Sequence, residues 1–364
     1  MGQDRAKIPA RALPASSATA LVGTIHAMGA HSIFDVARVL AGAWARARRD
    51  ARTSHAAAPS SASDGDGPRY VERPGGFDPV VPGPYRQQDV AIRAWILPAR
   101  QAALDATCQR YLGGPSGVPD AYRPALPFVI FAILDMGRVT GSGGGRGWMR
   151  EIDAGFILLT TTPRGLALFM PYLWVNSAWP LITGREVFGF RKELARSFSR
   201  VPESEATIED LCHVDADVVR EPGGKLETMR IIEVLADSGG HGHGLVERSG
   251  LRVLLRALRR LRSATPANAA DRAIELPIVC LHQRRDPRSP DLAEVQAVLT
   301  ASAQIPRTSL RNATLHGRGG RLRIVDSASH PLHRELGLEP DADGTCHALG
   351  GFRVTCDFDV ELPR

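Results

Sequence analysis

The chain has 364 residues, 43% of them hydrophobic, which is enough to bury a full core and excludes a small stapled scaffold. Its formal net charge of +6 comes from 45 lysines and arginines against 39 acidic residues spread along the chain, a diffuse charge that fits solubility and some attraction for anions rather than a nucleic-acid footprint. The five cysteines, Cys108, Cys212, Cys280, Cys346 and Cys356, form no C-x-x-C pair and no zinc-spaced cluster with histidine, so reduced thiols and a cytoplasmic location are expected.

Residues 1–75 are rich in alanine, serine and arginine and are set apart as an N-terminal extension. The apolar run at 18–28 contains Thr24 and His26 and is too short to span a bilayer, so neither a cleaved signal nor stable membrane insertion is expected. A basic helix is expected from Ser32 to about Arg52, with Ser32 as N-cap and Asp35 in the first turn. It either docks on a partner or packs as an appendage. The low-complexity stretch 54–68 reads as a linker.

From residue 76 onward the texture changes to short apolar runs broken by glycine and proline. Strands are expected at 90–97, 127–134, 155–162, 166–175, 211–219, 226–235, 308–315, 321–327 and 352–362. Two helices interrupt them. Residues 246–264 place Leu251, Leu254, Leu255, Leu258 and Leu261 opposite a row of arginines, and 289–302 carries a weaker stripe of Leu292, Val295 and Val298. The glycine-rich run 141–147 lacks the lysine of a phosphate-binding loop and reads as a hairpin loop. His241-Gly242-His243 reads as a turn rather than a metal site. So many strands without long intervening helices favour an α+β, mainly β fold with an antiparallel sheet or closed barrel.

Only Lys7, Lys192 and Lys225 are lysines among the 45 basic residues. Lys192 lies in the apolar stretch Gly184-Arg185-Glu186-Val187-Phe188-Gly189-Phe190-Arg191-Lys192-Glu193-Leu194. A chain that uses arginine wherever a permanent cation suffices has kept lysine here, and lysine alone of the two can shed its proton and become a nucleophile. The plain alternative is a lysine whose stem is buried and whose head reaches water. Arg185 and Glu186 are ordinary turn residues on one reading and part of a motif on the other. Glu151 is either a solvated strand-edge carboxylate or one that handles protons.

Gly184-Arg185-Glu186, followed five residues later by Arg191-Lys192, resembles the lysine motif of the acetoacetate decarboxylase family. Gly83-Pro84-Tyr85, the run Phe128-Val129-Ile130-Phe131-Ala132-Ile133-Leu134-Asp135, Glu151, and the segments beginning at Gly320 and Gly351 are similar to family features in the same order. The resemblance spans residues 76–364, with 236–275 as a helical insertion relative to the family, and implies a closed antiparallel β-barrel or cone with peripheral helices, assembled as a homo-oligomer. It implies a Schiff base between Lys192 and a small keto acid, formed without metal or organic cofactor. Glu151 would position substrate or move protons, Arg93 or Arg191 would receive its carboxylate, and Val187, Phe188, Phe190 and Leu194 would supply dry walls that favour the neutral amine. Glu193 stands where the family has a second lysine, Arg191 where it has proline, and Val129 where it has a second glutamate. Glu193 therefore either borders the substrate or points to the opposite strand face. These departures favour iminium chemistry in general, by decarboxylation, aldol reaction or dehydration, over acetoacetate as substrate. A small-molecule binder on the same barrel is the alternative function.

Overall fold

The computed structural model describes residues 80, 82–141, 147–198, 213–235, 273–316 and 320–363. The expected helices at 32–52 and 246–264, the linker, Cys212 and the histidine turn at 241–243 lie outside the described residues. In chain order the elements are β1 (Tyr85–Pro98), α1 (Gln101–Cys108) running into a π-helical turn (Gln109–Gly113), β2 (Arg123–Pro124), β3 (Phe128–Thr140), β4 (Met149–Thr162) and β5 (Gly165–Val175). Next come α2 (Ala178–Thr183), a second π-helical turn (Gly184–Phe188), β6 (Lys192–Phe198), β7 (His213–Val219), β8 (Leu226–Leu235), β9 (Ile274–Asp286) and β10 (Ser289–Ile305). The chain closes with β11 (Arg311–His316), β12 (Arg321–Ile324), α3 (Leu332–Leu336), β13 (Thr345–His347) and β14 (Gly350–Glu361). The fold is mainly β. No described helix is long and apolar enough to cross a membrane.

Seven strands pair in a closed ring, β1–β3–β4–β5–β9–β10–β14 and back to β1. The expected closure is present, but the pairing is mixed: β5 runs parallel to β9 at one junction of the ring and parallel to β6 outside it. A wing of β6, β7, β8, β12 and β13 branches from the C-terminal end of β5.

Strand alternation divides the apolar residues between two cores. Val90, Met136, Ile278, Cys280, Ala301, Cys356 and Phe358 pack together from ring strands, with Phe188 among them, and form the inner core. The outer core sits between ring and wing and includes Trp95, Phe131, Phe156, Trp174, Ile232 and Leu322, covered by Leu104 of α1 and Leu336 of α3. Because β3 is buried on both faces its sequence is a continuous apolar run rather than an alternating one. The four described cysteines are free and buried.

Two irregularities matter for the site. In β1 the register shifts between Gln87 and Val90, where Asp89 takes a positive φ of 53°. In β5 the partners of Phe156 and Leu158 are Tyr172 and Phe169, so β5 holds one extra residue, a bulge at Met170–Pro171. Residues 289–302, expected as a helix, are the β10 strand. Two register shifts against β9 before Val295 break the alternation that would have marked a strand, and the Leu292, Val295 and Val298 spacing only imitates a helical stripe. β9 itself, with Pro277 inside it, is absent from the sequence-based strand assignment.

Candidate active site

Lys192 opens β6, in parallel register with Leu173 of β5, and its side chain enters the ring on the inner-core side. There its Nζ lies 2.5 Å from Glu151 Oε1 and 3.2 Å from Asp153 Oδ2. Both carboxylates come from β4, two residues apart, so one strand face presents both; their cross-strand partners Met136 and Leu134 belong to the inner core. All three charged side chains are buried, with Lys192 6%, Glu151 4% and Asp153 8% exposed.

The aromatic surroundings come from the turn before β6. Phe188 and Phe190 stack at 5.2 Å, Tyr85 packs on Phe188 at 5.4 Å, and Nζ of Lys192 lies 5.9 Å from the Phe190 ring centre. Gly184 lets the lysine stem pass: a Cβ there would lie 2.6 Å from Lys192 Cδ. Gly189, in the left-handed region at φ 76°, ends the turn against the backbone of His282. His282 Nε2 is also 3.1 Å from the carbonyl oxygen of Glu186.

Electrostatics run opposite to the expected effect of dry walls. Burial favours the neutral amine of Lys192, but the charges of Asp153 and Glu151 outweigh it and hold the ammonium above the ordinary lysine range. Burial, and then the charge of Glu151, push the Asp153 carboxyl well above its usual range against the opposing pull of Lys192. Tyr85 is raised too, by burial first and by Glu151 second. Lys192, Glu151 and Asp153 thus form one buried cluster of a cation and two carboxyl groups. Leu194 is 39% exposed and contributes no wall.

The structure brings Glu151, Phe188 and Phe190 to Lys192 and leaves others apart. Arg93 lies on the opposite face of β1, level with Ile133 of the outer core, so it is not presented to Lys192. Glu193 also points outward, and its Oε2 pairs with Nε2 of buried His330 at 2.7 Å. His330 in turn lies against the stacked rings of Tyr172 and Trp174 and bonds Ser329 Oγ through Nδ1 at 2.8 Å. Arg191 stacks on Tyr111, 4.2 Å from the ring centre, while its Nε donates to the Pro171 carbonyl at 3.3 Å, in the bulge of β5. Arg185 and Glu186 are exposed. Asp153 was missed by sequence reasoning: the strand expected there began only at 155, whereas β4 starts at Met149 and so puts Glu151 and Asp153 on one face. A cavity of about 640 Å³ is lined by Lys192 and the residues on either side of it.

The fold and site define a mainly β protein with a lysine and two carboxyl groups buried at its inner core. No family model matches the chain, and no curated protein matches its sequence. Among solved structures the chain is similar to acetoacetate decarboxylase from Legionella pneumophila subsp. pneumophila str. Philadelphia 1, with 14% identity, 82% of this chain and 91% of that chain covered, and a TM-score of 0.46. It is also similar to the enduracididine biosynthesis enzyme MppR with HEPES buffer bound, at 14% identity, 85% and 97% coverage and a TM-score of 0.48. An acetoacetate decarboxylase-like enzyme from Sphingomonas wittichii RW1 matches at 13% identity, 82% and 98% coverage and a TM-score of 0.47.

Proposed function

We propose that this chain is an acetoacetate decarboxylase-like lyase that acts on a keto acid through a Schiff base at Lys192, as a cytoplasmic homo-oligomer. The observation that carries the reading is the buried contact of Lys192 with Glu151 at 2.5 Å and Asp153 at 3.2 Å. Glu151 takes the ammonium proton across that short hydrogen bond, and the freed lone pair of Nζ attacks the carbonyl carbon. The carbonyl π pair moves to oxygen, a proton passes from the nitrogen to that oxygen to give the carbinolamine, and its hydroxyl leaves as water with the proton returned by Glu151 while the nitrogen lone pair forms the iminium. In a β-keto acid the bond to the carboxylate then breaks, its electron pair moves into the iminium, and carbon dioxide leaves behind an enamine. Loss of an α-proton gives the same kind of enamine and opens aldol or dehydration chemistry. Protonation of the enamine carbon and hydrolysis of the iminium return the free lysine.

Borohydride reduction in the presence of a panel of keto acids, followed by peptide mass mapping, tests this. We expect an adduct on Lys192 that is missing in Lys192→Arg, a variant that keeps the cation but offers no nucleophile. Its yield should rise with pH, because the carboxylates raise the proton affinity of the amine. Absence of any adduct across the panel would rule the Schiff base out.

The ion pair also favours a second reading, in which Lys192 stays protonated and the protein binds a small anion without turning it over. Undiminished ligand affinity in Lys192→Arg together with no adduct in the parent chain would support it.

A further inference from the structure

We propose that Glu335 is a positioning residue for Lys192, acting from the far face of β6 through the two tyrosines it holds. Its effect on turnover rests on the Schiff-base reading, whereas its effect on the aim of the amine does not. Glu335 lies on α3 and is buried, next to Leu336 of the outer core. Its Oε2 accepts the hydroxyls of Tyr111 at 2.9 Å and Tyr172 at 2.8 Å, and its Oε1 accepts from Nη1 of Arg110 at 2.5 Å. One carboxylate oxygen therefore joins the π-helical turn after α1 to strand β5.

Each tyrosine leads back to one flank of the lysine. The guanidinium of Arg191 lies 4.2 Å from the ring centre of Tyr111. Tyr172 stacks on Trp174 with ring centres 6.0 Å apart, His330 packs against both rings, and its Nε2 meets Glu193 Oε2 at 2.7 Å. Residues 191 and 193 are thus both held by outer-face contacts that converge on Glu335. Lys192, between them, is left facing the opposite side. β6 opens on Lys192, so no earlier strand residue sets its rotation, and the two flanking side chains do so instead.

The aim of the amine is exacting. Nζ meets Glu151 at 2.5 Å and Asp153 at 3.2 Å, and displacing a reacting atom by about 1 Å costs on the order of a hundredfold in rate. The backbone carbonyl of Glu335 also accepts from Thr107 Oγ1 at 2.6 Å, which ties α3 to α1 without touching either tyrosine. That bond supplies the control for a merely structural role.

The chain has only three lysines, so the ammonium signals of the lysine-labelled full chain are few in heteronuclear NMR, and Lys192→Arg identifies the one from Lys192. Exchange of its amine protons with water, borohydride capture of keto acids and the midpoint of urea unfolding are then measured. In Glu335→Ala and in the Tyr111→Phe, Tyr172→Phe double variant, exchange should be about tenfold faster, the weight of one charge-assisted hydrogen bond. Capture at saturating acid should be about tenfold slower at the same pH, with half-saturation changed by less than about twofold. Glu335→Gln should recover both, because its amide oxygen accepts from the two hydroxyls. Thr107→Val should lower the unfolding midpoint and leave exchange and capture at parent values. Parent-like exchange and capture in the folded double variant would overturn the positioning role, and so would equal losses in Thr107→Val. If the parent chain captures no keto acid the Schiff base fails, and amine exchange alone decides: faster exchange in the double variant upholds the role of Glu335, and unchanged exchange removes it.

Discussion

Gly184 shows how closely the lysine is fitted. Its φ is ordinary, −62°, so glycine is required for space and not for backbone freedom. A methyl group there would fall 2.6 Å from Cδ and 2.9 Å from Cε of Lys192. Gly184→Ala should lower stability by about 1–3 kcal/mol, read by urea unfolding, and reduce borohydride capture at Lys192 by pushing Nζ away from Glu151. The rarity of lysine made Lys192 legible, and the ordered motif made Glu151 legible. The face of Arg93 was not, because the register shift at Asp89 sets the parity of everything after it in β1. The proton affinity of Lys192 was equally hidden. It depends on Asp153, which the strand pattern presents to the same core but no motif announced.

At the scale of elements, β6 is held from both sides. Lys192 fixes it to β4 inside the ring, and Glu193, the next residue, fixes it to His330 outside. His330 is buried and makes two side-chain hydrogen bonds, so His330→Ala should cost about 1–3 kcal/mol, with His330→Gln recovering part of it. The midpoint of urea unfolding for the three proteins measures this. Most strands of the ring were readable from β-branched and aromatic runs, as in β3 and β5. β9 and β10 were not, since Pro277 interrupts one and two bulges disturb the other. Their pairing is long, and tertiary contact rather than local pattern decides their conformation.

For the whole molecule, ring closure concentrates its weakness at one seam. β1 and β3 are in register over twelve residue pairs, whereas β5 meets β9 at only two, Leu168 with Ile278 and Phe169 with Val279. Amide hydrogen exchange should therefore be faster at 168–169 and 278–279 than along 90–98 and 128–136; uniform protection around the ring would contradict this. Above the seam, β5 exchanges β9 for β6 as neighbour, so one strand serves as a three-way junction. The bulge at Met170–Pro171 lies at that exchange and resets which side chains enter which core: Phe169 and Tyr172, three positions apart, share the outer one. Remove a single residue there and Leu173 would turn outward, carrying the aligned Lys192 with it, while Glu193 would turn in. Length variation between 168 and 173 would thus exchange a lysine for a glutamate at the centre of the ring.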